Sequence, residues 1–180
     1  MLKDGHVGLT LALVAPLAVL SGFIFPKPTA AVVFAGGMIG SNIPDMDTQT
    51  QFVKHRGFTH TIWFSIIGSV IGAAVFLAIF AYLPINSYIE ISQTTQIAAA
   101  VLFGVSFGFG IITHLLGDVI TPRGVKPFDP VSPREVVPIK ISEKKYVWEI
   151  ANASNPLLNK GFSLLGVVVV MGSVYVMVNF

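Results

Sequence analysis

The chain has 180 residues, of which 53% are apolar and 11% charged, with a formal net charge of +2. Its mean hydropathy of +0.77 leaves too few polar residues to clothe a water-soluble globule of this length, so the chain belongs in a bilayer. It contains no cysteine, which excludes disulfides, thiolate ligands and a cysteine nucleophile and leaves any metal to nitrogen and oxygen donors.

A helix needs about 20 apolar residues to cross the hydrocarbon layer. Residues 7–25 meet that requirement, with Pro16 expected to bend the helix because proline removes a hydrogen bond and crowds the preceding turn. The charged segment ahead is short, and Thr29-Ala30-Ala31, the one small-x-small candidate, runs on into apolar sequence. The segment is therefore read as a mature helix and not as a cleaved signal. Residues 29–43 are the awkward piece: at roughly 1.5 Å per residue they reach about three quarters of the way across a typical core. A crossing with bilayer thinning and a re-entrant hairpin both fit, since Gly36, Gly37 and Gly40 suit either close packing or a broken helix. Residues 61–83, 97–120 and 161–178 are further spans, and the connection 84–96 carries Glu90 but no lysine or arginine. Between the last two spans lies a polar segment, 121–160, in which Pro122, Pro127, Pro130, Pro133 and Pro138 exclude one continuous helix. Residues 136–141 suit a short edge strand interrupted by proline, and Tyr146 and Trp148 read as interfacial anchors.

If 29–43 crosses, Lys3, Lys54, Arg56 and the basic residues from Arg123 to Lys160 share one side, leaving Lys27 alone on the other. That asymmetry marks the shared side as cytoplasmic. The same assumption brings all four histidines, Asp45, Asp47 and Asp118 to that face. The expectation is an all-α, polytopic helical membrane protein: a single membrane-embedded domain, 1–180, with about five transmembrane helices and one polar cytoplasmic segment.

Imidazoles and carboxylates at a membrane boundary are costly, and ion handling or catalysis is the usual reason for keeping them. His114 and Asp118 are four apart, so on a helix one nitrogen and one carboxylate oxygen can meet at a single ion; a plain polar pair at a helix end fits equally well. His55 and His60 are five apart, a poor helical match, but Gly57 can turn the chain and Thr59 can cap the helix that begins near His60. For His55 a solvated basic turn is the simpler alternative. Asp45 and Asp47 flank Met46 after Pro44, and in an extended turn both carboxylates can reach one ion or bridge two. His6 heads the first span; alone, it would pass for an interfacial residue. Convergence on one face favours a metal site.

The blocks Gly5-His6, Pro44-Asp45-Met46-Asp47, His55-Arg56-Gly57-Phe58-Thr59-His60 and His114-x-x-x-Asp118, followed by Thr121-Pro122-x-Gly124-Val125, resemble the YdjM-type inner-membrane proteins. These are described as LexA-regulated, membrane-bound, metal-dependent hydrolases, distantly similar to zinc-dependent phospholipase C. The resemblance runs from Gly5 to about Pro138. It implies His60, His114, Asp118 and Asp45 as a first metal shell, His6 on a neighbouring ion, and His55 or Asp47 completing it. The soluble enzymes use a free amino terminus as a ligand, whereas Met1 to Gly5 precede His6 here, and no second downstream histidine pair follows. One or two divalent ions, zinc foremost, are therefore expected in place of three. Such an ion lowers the pKa of its water toward about 7. Asp47 is the candidate base by elimination, and Arg56, ahead of Arg123 or Lys126, could neutralise a phosphoryl oxygen.

A basic, headgroup-level site favours a lipid or other anionic phosphoester at the cytoplasmic face of the inner membrane. Amide and carboxylic ester substrates stay open. Membrane lipid is the expected partner and nucleic acid is not; oligomeric state is undetermined. Two other classes remain: an ion transporter or sensor, and a non-enzymatic scaffold in which metal pins helix ends.

Overall fold

The computed structural model describes residues 3–49, 57–83, 91–120, 125–132 and 155–180. Five α-helices occur among them: α1 (Lys3–Ile24), α2 (Thr29–Asn42), α3 (Ile62–Tyr82), α4 (Gln93–Val119) and α5 (Pro156–Asn179). Two 3-10 turns, Pro44–Gln49 and Phe58–His60, also lie among the described residues. The chain is an all-α membrane protein, and α1, α3, α4 and α5 are each long and apolar enough to cross a bilayer. The edge strand expected at 136–141, the anchors Tyr146 and Trp148, and the Thr121–Gly124 block lie outside the described residues.

Helix boundaries follow capping chemistry more than hydropathy. α4 starts at Gln93, ahead of the apolar run, because the Ser92 hydroxyl accepts a hydrogen bond from the Thr95 amide at 3.2 Å. α5 starts at Pro156 because Asn155 Oδ1 accepts from the Leu157 and Leu158 amides at 2.9 and 3.4 Å, with proline at a position that needs no donor. α1 runs unbroken through Pro16.

α2 is one continuous helix and not a re-entrant hairpin. Its glycines serve close packing: a Cβ at Gly36 would enter the Ser106 side chain and Phe103 carbonyl, and one at Gly40 would strike the Phe107 backbone. These contacts pair rising numbers in α2 with rising numbers in α4, so the two helices run parallel. Gly37 lies on Val14 and Gly22 near Ala30, making α1 and α2 antiparallel. Gly104 faces Ala73 and Gly108 faces Ser65, making α3 and α4 antiparallel. Gly8 meets Phe162 and Gly22 meets Met177, so α5 runs alongside α1 in the same direction. The starts of α1, α3 and α5 and the ends of α2 and α4 thus share one end of the bundle, which both 3-10 turns join.

The Thr29 hydroxyl donates to the Ser21 carbonyl at 3.1 Å, so α2 covers the stretch of α1 between Ser21 and the histidine end, about 22 Å at 1.5 Å per residue. Central α4 is 56% buried over its apolar window, whereas α3 is 17% and α5 6% buried. Helices apolar on their outer faces, carrying exposed Val70, Ile71, Val168 and Met171, suit hydrocarbon surroundings. Inside, Val14, Ala100 and Ile111 are fully buried, and the Thr10 hydroxyl donates at 2.8 Å to that of Thr113, which donates in turn to the Gly110 carbonyl at 2.7 Å.

Candidate metal centre

Five donors meet at the shared end. His6 comes from the first turns of α1, Asp45 from the 3-10 turn after α2, His60 from the turn before α3, and His114 and Asp118 from the last turns of α4. Thr61 sets the entry into α3: extended at φ −121° and ψ 156°, it accepts from the Phe64 amide at 3.2 Å and donates to the Phe58 carbonyl at 2.8 Å. Thr61, and not Thr59, is therefore the cap, because only its backbone leaves the helical region where the side chain can reach the third amide. Thr59 instead places its hydroxyl 3.0 Å from His60 Nδ1. The Ile62 amide donates to the Pro127 carbonyl at 2.8 Å, tying residues 125–132 over this entry.

The cluster is buried: His60 is 0%, His114 1%, Asp118 2% and His6 4% exposed. Asp45 is its open side, half-exposed at the mouth. His6 Nε2 lies 3.4 Å from Asp118 Oδ1, His60 Nε2 3.4 Å from Asp118 Oδ2, and His114 Nε2 3.4 Å from Asp45 Oδ1 and 3.7 Å from Asp118 Oδ2. These separations exceed the usual N–H···O range of about 2.7–3.2 Å. They match the edge between neighbouring ligands of a tetrahedral ion, about 3.3 Å for bonds of about 2.0–2.1 Å. Contact with His114 holds the Asp45 carboxyl below its ordinary range, against the opposing effect of burial.

Orientation is set from behind. His114 Nδ1 donates to the Ser41 carbonyl at 2.8 Å, so in the neutral ring Nε2 carries the lone pair a metal needs. That Nε2 and His6 Nδ1 are buried and find no hydrogen-bond partner among the described residues, a costly state for polar atoms unless something else binds there. The His6 and His114 rings stack at 4.1 Å with planes 7° apart, whereas His60 and His114 meet edge to face at 71°. Imidazole lone pairs lie in the ring plane. The crossing planes of His60 and His114 suit one shared ion; the parallel planes of His6 and His114 suit separate ions better, although donor atoms of His6, His114 and Asp118 also lie within 4.8 Å of one another. The set fits divalent metal, nitrogen and oxygen donors alone.

Five of the expected site residues are thus brought together: His6, Asp45, His60, His114 and Asp118. The turn carrying Asp45 and Asp47 is a 3-10 helix, not the expected extended segment; the Asp47 side chain, like the whole of His55 and Arg56, lies outside what the structure describes. Two contributors were not anticipated. The Ser41 carbonyl has no signature in sequence because every residue carries one. Gly117 leaves room for the His6 ring, whose Nδ1 would lie 2.5 Å from a Cβ there; its place between His114 and Asp118 was the available signal.

No curated protein and no solved structure matches the chain, so the expected distant likeness to phospholipase C finds no support in these comparisons. The family model for the YdjM inner membrane protein matches residues 1–180. The match covers the whole chain with its buried histidine and aspartate cluster: the chain belongs to the YdjM inner membrane protein family.

Proposed function

We propose that the chain is a metal-dependent hydrolase that cleaves a phosphoester of a lipid or other anionic amphiphile at the cytoplasmic face of the inner membrane. The observation that carries this reading is the buried five-donor cluster, with His114 Nε2 aimed into it at co-ligand distance from two carboxylates. Asp45, His60 and His114 would hold one ion and His6 a neighbouring one, with one Asp118 oxygen toward each side. Zinc suits such a nitrogen and oxygen set. A divalent ion there supplies Lewis acidity toward a phosphoryl oxygen and acidifies water to near neutrality.

The protein residues do the rest. Asp47, two positions beyond Asp45, is the carboxylate assigned to take the proton of the attacking water, and Arg56 the guanidinium assigned to the phosphoryl oxygens. Exposed Met46, Phe58 and Phe128 at the same end suit a substrate whose chains stay in the bilayer. The cytoplasmic assignment is supported by Lys3, Lys126 and Lys160 at the histidine end against Lys27 at the other.

The test is elemental analysis of the purified chain followed by assay for phosphate or headgroup release from a broad lipid panel. Asp47→Asn is expected to keep metal and lose turnover, and His114→Ala to lose both. Stoichiometric zinc without release from any lipid would overturn the reading. A metal-pinned scaffold is the second reading, favoured by donors drawn from four separate elements; it predicts loss of folding in His114→Ala and no turnover in the wild type. An ion conduit is disfavoured because the clustered donors sit at one end.

A further inference from the structure

We propose that a groove between α1, α2 and α5, at the end of the bundle remote from the histidines, binds one acyl chain of an anionic phospholipid whose head group rests on Lys27. This is independent of the metal reading. α5 leans on α1 and makes no extended contact with α2, so a cleft opens between them. Its volume is about 350 Å³, with Ala18, Ala31, Phe34, Val174 and Met177 on its walls and Lys27 in its lining. The size falls in the range of small-molecule sites, about 300–1,000 Å³.

Shape and charge choose the occupant. Along α5 the groove runs from Val170 to Met177, about 10 Å at 1.5 Å per residue. Its lining is apolar apart from Lys27 and Ser173, which suits a hydrocarbon chain. Lys27, exposed in the turn between α1 and α2, is the basic residue at this end among the described residues, with Lys3, Lys126 and Lys160 all at the other. An ammonium at the open end of an apolar slot complements a phosphodiester attached to an acyl chain. A second groove of about 250 Å³ between α1, α2 and α4 is lined by Leu17, Phe25, Val33 and Leu102 and has no charged residue. It offers apolar contact without a reason to prefer an anion.

Native mass spectrometry of the delipidated full-length chain, titrated with phosphatidylglycerol and phosphatidylcholine of matched chains, tests this. The first phosphatidylglycerol is expected to bind about fivefold more tightly, the effect of one basic residue near a headgroup. Lys27→Gln should erase that preference while leaving chain binding. Ala31→Phe, on an exposed wall, should remove the first adduct of both lipids with helical circular dichroism unchanged, and Val174→Phe serves if that variant misfolds. A preference that survives Lys27→Gln, an adduct that survives filling the groove, or binding of free fatty acid but not phospholipid would overturn the proposal.

Discussion

His6 reaches Asp118 only because residue 117 has no side chain. A Cβ there would stand 2.5 Å from His6 Nδ1 and 2.8 Å from Cε1, closer than such atoms approach, so the ring would have to move. On the proposed two-ion reading, Gly117→Ala is expected to weaken metal binding at His6 by about ten- to a hundredfold, the usual cost of disturbing a group that orients a ligand, while binding at His60 and His114 is retained. A metal titration with two resolved affinities checks this, and unchanged binding would remove His6 from the ligand set. Proton competition separates two pH windows. Asp45 is held below its ordinary value of 3.8, so the stability it adds is complete above that value and is lost as pH falls through its lower folded pKa. Protons compete with a divalent ion for its nitrogen and oxygen donors, so metal affinity falls as the pH falls. Titration from pH 7.5 to 5 should therefore release metal, read with a chromogenic chelator, before circular dichroism reports any unfolding.

At the scale of elements, caps and close packing decide where functional groups sit. Thr61 both caps α3 and closes the Phe58–His60 turn, so Thr61→Ala should cost about 1 kcal/mol in a denaturant titration and also weaken metal retention, because His60 rides on that turn. The existence and order of the four long helices were legible as apolar runs, whereas the run at 29–43 left a crossing helix and a hairpin both open; the i, i+4 spacing of His114 and Asp118 put both on one face of α4. The starts of α4 and α5 were not, because Gln93 to Gln96 and Pro156 to Lys160 are helical through the Ser92 and Asn155 caps and not through hydropathy. For α2 the glycines were visible but their use was not: Gly36 and Gly40 are small because α4 backbone passes there, a fact about a partner helix some seventy residues away.

For the molecule as a whole, the donors lie at four element ends, so an ion bound only by the folded chain must stabilise the assembly. At a hundredfold excess over Kd that linkage is about 2.7 kcal/mol, and about 5–10 °C in Tm for a chain of this size. Removing metal with a chelator should lower the melting temperature by that order, with recovery on adding zinc. A melting point indifferent to chelation would deny the ion any structural role.

Composition alone determined that this chain lives in a bilayer, because so few polar residues cannot face water. Its apolar runs determined the number and order of the long helices, and the one-sided placement of basic residues, on the assumption that 29–43 crosses, brought the candidate ligands to one face. Only the tertiary structure decided that α2 is unbroken, that Asp45 meets His114, that the Ser41 carbonyl sets its tautomer and that Gly117 admits His6. Each of these joins residues from different helices or depends on a ring's orientation between them. Periodicity along one chain reports which face of a helix is apolar, but which atoms of two helices touch is settled by how their surfaces interlock.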